Sequence, residues 1–318
     1  MSATSVQRVA AIDCGTNSIR LLIADVGADG RLVDLVRRME IVRLGQGIDR
    51  TGVIAPEAME RTLAMTREYA AQCREHDVES VRFVATSASR DARNAGKFVD
   101  GVRAAFGDLD VAPEVVEGLV EAELSFTGAT GDLQALALPG PYVVVDLGGG
   151  STELVRGTRH VEAAHSMDVG SVRMTERHLH DDPPTTGQVA AARLDVQAAL
   201  DVAEQAVDLN VVGAVVGLAG TITTITAHAL GLAAYDPAAT HLAQIPAEVH
   251  REACRSLLEM SRAERSTLGF LHPGRVDVIG GGALVWLEVL DRVLSRSPGA
   301  VVVTSEHDIL DGIALSLT

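Results

Sequence analysis

Two stretches of the chain place an aspartate at the end of an apolar run and follow it with a loop of small residues: AAIDCGTNSIRLL at 10–22 and VVVDLGGGSTEL at 143–154. Aligned, they share Asp-x-Gly-x-x-Ser, with Asp13, Gly15 and Ser18 in the first and Asp146, Gly148 and Ser151 in the second. Small residues let backbone N–H groups approach a phosphate closely, and an aspartate at a strand end can hold Mg²⁺ directly or through water. One such loop is equally an ordinary tight hairpin. Two copies point to a phosphate- and metal-binding cleft.

Other residues could serve the same chemistry. GLAGTITTI (217–225) follows an apolar run and opens a helical one, so Gly220 and Thr221 could donate to an anion from a helix N-terminus. VIGGGALV (278–285) has the same shape, but close helix packing explains its glycines better. ATSASR (85–90) offers hydroxyls and Arg90, whose guanidinium can clamp phosphate with two parallel bonds. Arg93 and Lys97 fall one and two turns further on, where they either extend a basic track or face solvent. Among Glu114, Glu117, Glu121 and Glu123, Glu121 falls in the first turn of a predicted helix and points towards the cleft. The ten histidines show no HExxH or paired spacing, so no zinc site is expected.

The elements that must position these groups repeat. Period-2 runs predict strands at 9–13, 19–26, 32–42 and 81–87, and period-3.6 runs predict helices at 56–73, 91–105 and 120–129. The second half restarts with hairpin strands at 142–147 and 152–157 that lead into 159–167, then helices near 170–179 and 186–207 and a strand at 211–218. Helices at 221–230, 246–260 and 282–294, a strand at 300–304 and a helix at 306–317 complete it. Each half thus opens with a hairpin whose turn is Asp-x-Gly-x-x-Ser, as expected of a duplicated domain.

A length of 318 residues suits about two domains. Only 3% of residues are aromatic against 47% hydrophobic, so the core is built from Val, Leu, Ile and Ala, which suits mixed sheets covered by helices. No apolar run approaches the ~20 residues of a membrane span, and the N-terminus shows no leader pattern. Three scattered cysteines imply no disulfide framework and a reducing, cytoplasmic setting. A net charge of −16 argues against nucleic-acid or anionic-membrane partners, though a local pocket can still take an anion. Lys97 is the one lysine among 27 basic residues. Arginine's fork suits phosphate, but codon bias in a GC-rich genome explains the same usage.

AAIDCGTNSIRLLIADV, ATSASR, EVVEGLVEAELSFTGA, VVVDLGGGSTEL, VGSVRMTER, GLAGTITTI, HPGRVDVIGGGALV and SEHDILDGIAL occur in the order found in the exopolyphosphatase/guanosine-pentaphosphate phosphohydrolase (Ppx/GppA) family, and the chain resembles that family over nearly its whole length. The resemblance implies an α/β fold of duplicated actin-like ATPase (ribonuclease H-like) domains, with the active site in the interdomain cleft. Domains are expected at 1–125, completed by a helix within 306–318, and at 126–305, in a short form without further C-terminal helical domains. It implies Glu121 as the water-activating residue and Asp146 and Glu153 as carboxylates for Mg²⁺ or Mn²⁺, to which the repeated strand-end aspartate adds Asp13 as a candidate. Gly148, Gly149 and Ser151, with Asn17 and Ser18, match phosphate loops; Arg90 and Arg275 match phosphate contacts; Gly220, Thr221 and Arg93 complete the expected set. Two departures stand out. The usual Glu-Glu-Ala-Arg reads Val120-Glu121-Ala122-Glu123, which bears on substrate preference. Asp311-Gly312 replaces an Arg-Gly pair and is expected to bear on interdomain packing.

The expected activity is release of terminal orthophosphate from short linear polyphosphate by a cytoplasmic homodimer. The rival is hydrolysis of pppGpp to ppGpp, disfavoured by the few aromatics available for a base pocket. A kinase of the same fold and a non-catalytic nucleotide-binding protein are the remaining alternatives.

Overall fold

The computed structural model describes residues 6–28, 30–133 and 136–317. The chain divides into two units, Met1–Gly128 with Ile309–Thr318, and Ala129–Asp308.

In the first unit β1 (Gln7–Cys14), β2 (Ser18–Val26), β3 (Leu32–Ile41), β4 (Ser80–Ala85) and β5 (Glu114–Val115) form a sheet in the order β3-β2-β1-β4-β5. β1 is antiparallel to β2 and parallel to β4. As the middle strand it is buried on both faces: Ala10, Ile12 and Cys14 enter one apolar cluster, Val9 and Ala11 another. That two-sided burial is why the strand reads as an unbroken apolar run instead of alternating.

Helices α1 (Ile48–Thr51), α2 (Pro56–Glu75), α3 (Ser87–Asp91), α4 (Ala95–Phe106) and α5 (Gly118–Leu133) follow in order. α2 begins with a proline, whose missing N–H has no intrahelical partner to lose, and buries Thr62, Thr66, Tyr69, Ala70 and Cys73. Its two buried threonine hydroxyls are satisfied by carbonyls one turn back, Ala58 at 2.8 Å and Thr62 at 2.9 Å.

The second unit repeats the plan. β6 (Tyr142–Leu147), β7 (Thr152–Gly157), β8 (Val161–Met167), β9 (Ala214–Leu218) and β10 (Val301–Thr304) lie in the order β10-β9-β6-β7-β8. β6 is antiparallel to β7 and parallel to β9. Strand for strand this is the first sheet again, the same mixed sheet made twice. Helices α6 (Ser171–His178), α7 (Thr186–Ala203), α8 (Ala219–Ala229), α9 (Pro237–Thr240), α10 (Ala247–Glu259), α11 (Arg262–Arg265) and α12 (Ile279–Arg296) surround it. α13 (Ile309–Leu315) belongs to the first unit, where Ile309, Leu310, Ile313 and Ala314 pack against Val9, Ala11, Leu22 and Ala24.

Several expectations change. The strand expected to Ser87 stops at Ala85, because α3 starts at Ser87; the helix expected over 91–105 begins only at Ala95. VIGGGALV is no strand–glycine–helix turn: α12 starts at Ile279 and holds all three glycines in its first turn. A Cβ on Gly281 would overlap Thr175, and one on Gly282 would overlap Thr221 and Ser171, so packing accounts for them. Asp311 and Gly312 act inside the first unit. Asp311 accepts from Arg37 Nη1 at 3.3 Å and Nη2 at 2.5 Å, tying α13 to β3. Burial works against the Arg37 charge, but Asp311 and Asp34 outweigh it and raise the guanidinium pKa. A Cβ on Gly312 would overlap the Leu124 carbonyl, so the glycine lets α13 rest on the α5 backbone.

Candidate active site

β6 and β7 are in register with Asp146 opposite Glu153. Residues so paired share a face of the sheet, with Cβ atoms about 4.5–5.5 Å apart. Both carboxylates are buried, at 5% and 0% exposure, and Glu153 Oε1 accepts from Ser166 Oγ at 2.7 Å. Like charges facing each other out of water repel, and a hard divalent cation with oxygen ligands relieves that repulsion. The donor set fits Mg²⁺ or Mn²⁺.

The equivalent register in the first hairpin sets Arg20 opposite Asp13. Arg20 Nε and Nη2 donate to Asp13 Oδ2 at 2.9 and 2.6 Å. The repeat therefore differs in its chemistry: Asp13 has a cation across from it, Asp146 a second acid.

The two turns close alike, Gly15 N–H to Ser18 O at 2.9 Å and Gly148 N–H to Ser151 O at 3.0 Å. In the second turn, the Gly148 carbonyl accepts from Ser171 N–H at 3.0 Å. The Gly149 carbonyl accepts from Val172 and Arg173 N–H at 2.9 and 3.1 Å. These peptides are trans, so each following N–H points opposite its carbonyl. Gly149 and Gly150 thus turn two successive amides away from α6, the arrangement that cradles an anion. Gly170 permits the brace: a Cβ there would lie 2.6 Å from the Gly149 carbonyl. Ser151 is buried beneath the turn.

β9 lies beside β6 with Leu218 level with Asp146, so the loop leading into α8 leaves the sheet next to this turn. Ala219 takes φ +66°, a left-handed conformation that costs an alanine ~1–2 kcal/mol. Any Cβ on Gly220 would overlap the Arg275 guanidinium, so Gly220 and Arg275 are in contact. Thr221 is buried under Gly282 of α12.

In the first unit, Thr86 N–H bonds Cys14 O at 3.1 Å and Thr16 Oγ1 meets Ser87 Oγ at 2.8 Å, tying the first turn to α3. Arg90 Nη1 donates to Val116 O at 2.9 Å and to Glu121 Oε2 at 3.3 Å. Glu121 is 7% exposed in the first turn of α5, whereas Glu123 is exposed on another face. Asn17 gives its carbonyl to Val42 and Arg43 N–H at 3.0 and 2.9 Å. Asn17 Oδ1 is buried with no hydrogen-bond partner among the described residues, and Ser18 is half-buried beside it. Arg93 is turned elsewhere: its Nη2 donates to Thr51 O at 2.9 Å, bracing the loop after α1, and Lys97 is exposed. Burial, with the Asp13 charge adding to it, pushes the Cys14 thiol up, so it stays protonated and is no nucleophile.

A sequence profile of the Ppx/GppA phosphatase family matches residues 22–317. The chain belongs to this family. Exopolyphosphatase 2 of Mycobacterium tuberculosis is 51% identical to it, over 98% of this chain and 99% of that protein. The crystal structure of an exopolyphosphatase-like protein superposes with a TM-score of 0.94 at 46% identity, covering 98% of each chain. The Aquifex aeolicus Ppx/GppA enzyme superposes with a TM-score of 0.79 at 30% identity, over 98% of this chain and 100% of that one.

Within this Ppx/GppA chain, sequence reasoning missed the braces. Val42–Gly47 wraps the first turn, with Gly45 N–H on Thr16 O at 2.9 Å, and a Cβ on Gly45 would overlap Thr16. Its Gly-x-Gly pattern was a usable signal. Arg20 and Ser166 carried none, because their roles arise from register across strands.

Proposed function

We propose that the chain is an exopolyphosphatase that removes terminal orthophosphate from linear polyphosphate with Mg²⁺ or Mn²⁺. The observation that carries the reading is the buried Asp146–Glu153 pair at the root of a turn with two amides aimed the same way. Glu121 accepts a proton from the attacking water as its oxygen bonds the terminal phosphorus and the bridging P–O bond breaks in line. Gly149 and Gly150 amides, Gly148, Ser151, Thr221 and Arg275 hold phosphate oxygens, and Arg90 moves from Glu121 to the transferring group. Asn17 and Ser18 contact the substrate from the first turn. A metal ion on Asp146 and Glu153 would neutralise charge on the phosphoanhydride oxygens. Asp13, ion-paired with Arg20, would join this set only through water.

The cysteines are buried and free, which suits a reducing compartment such as the cytoplasm, and no described helix is long and apolar enough to cross a membrane. The resemblance supports a homodimer. The test is phosphate release from polyphosphate, pppGpp and ATP side by side, with phosphorylation of added acceptors followed. Polyphosphate should be the best substrate. Faster release from pppGpp, transfer from ATP, or no release at all would each replace the reading with one of its rivals.

A further inference from the structure

The geometry points to a transition-metal site in the second unit, formed by Asp132, His241 and His307. One ligand atom from each lies within 4.8 Å of the others. Asp132 stands near the end of α5, His241 just after α9, and His307 between β10 and α13. His307 Nδ1 is 2.6 Å from Asp132 Oδ2, and His241 Nε2 is 3.6 Å from the same oxygen. The two imidazoles lie with centroids 4.6 Å apart and their planes tilted by 48°, and all three side chains are half-buried, within reach of solvent.

Two imidazoles and one carboxylate are the donors of Zn²⁺ and related first-row divalent ions, with a position left open for water or another ligand. Mg²⁺ prefers oxygen alone and would choose Asp146 and Glu153. Ligands about 2.0–2.2 Å from one ion must stand roughly 3.3 Å apart, so these atoms need shifts of about an ångström. Binding displaces the proton shared between His307 and Asp132. Coordination through His241 Nε2 puts that ring's proton on Nδ1, so the bond it accepts from Glu306 N–H is given up. At 3.3 Å that bond is long, and the loss is small. Spacing along the chain carries no sign of the site, because Asp132 and His307 are 175 residues apart. Asp132 lies just after Gly128 and His307 just before Ile309, where the chain enters and leaves this unit. A bound ion would cross-link those two stretches inside it.

The test is equilibrium dialysis of the full chain against Zn²⁺ in a large excess of Mg²⁺, with metal content measured and Co²⁺ absorption as a second probe. One Zn²⁺ per chain should be retained, His241→Ala and His307→Ala should each weaken binding about tenfold or more, and Asp146→Asn should leave it unchanged. Circular dichroism checks folding, and His307→Gln, closer in size, is read if His307→Ala does not fold. Absence of retained Zn²⁺, equal retention by both histidine variants, or loss in Asp146→Asn would overturn the assignment.

Discussion

The residue seven positions after each turn aspartate decides what that aspartate can do: Arg20 neutralises Asp13, whereas Glu153 confronts Asp146 with a second negative charge. Asp146→Asn should therefore lower activity and raise the Mg²⁺ concentration needed for half-maximal rate, since it replaces a charged oxygen ligand with a neutral one. Wild-type activity at low Mg²⁺ would remove Asp146 from the metal set. Glu121 is a sharper case, buried beside Arg90 while Glu123 faces solvent. Gln keeps the shape of Glu121 but not its basicity, so Glu121→Gln should cut kcat by ~10²–10⁴. Polyphosphate binding should hold or tighten, because a negative charge beside a polyanion is gone. Glu123→Gln, on the exposed face, should leave kcat within about threefold of wild type. If Glu123→Gln is the inactive one, the base has been misassigned.

At the scale of elements, α13 shows how local chemistry resets a reading made from motif position. Gly312 lies against the Leu124 carbonyl, so Gly312→Ala should destabilise the first unit by about 1–3 kcal/mol, read from denaturant unfolding. An unchanged midpoint would mean that α5 yields freely. The α10–α12 contact carries its own pH signature. Burial lowers the His250 pKa to about 4, and its Nδ1 faces Trp286 Nε1 at 3.5 Å. Below the ordinary value of about 6.5 the unfolded chain takes up a proton that the folded chain refuses until about 4. Stability should thus fall by up to about 3 kcal/mol across that window, and His250→Gln should lose less over the same range. Equal losses in both would refute it. Strands such as β1 and β6 and the long helix α2 were legible in the sequence because an unbroken apolar run, a helical repeat and a helix-starting proline are local signals. Arg20 opposite Asp13, Arg37 on Asp311 and Gly170 against Gly149 were not, since register and close approach are fixed only when distant segments pack. The same limit explains Arg93: its place on the helical repeat suggested a row with Arg90, but the break between α3 and α4 turns it to Thr51.

For the whole molecule, the relevant quantity is a net charge of −16 set against a few arginines that could meet phosphate. On the proposed reading a short polyphosphate places its few charges against Arg275 and the amides of the glycine turn, and little of it extends over the rest of the surface. A long chain carries the same reactive end and a tail that must lie near a surface rich in Asp and Glu. The local gain is the same for both, while the repulsion grows with the tail, so kcat/KM should fall as chain length rises at low salt. Screening offers the control. At 0.1 M salt, interactions between exposed charges beyond about 10 Å are largely lost, whereas contacts at the reacting end persist. Adding salt should therefore narrow the gap between short and long substrates, with the long ones losing less or even gaining. The measurement is kcat/KM for chains from a few to roughly several hundred phosphates at low and moderate ionic strength. A preference for the longest chains at low salt, weakening as salt is added, would mean that a basic track outweighs the global charge.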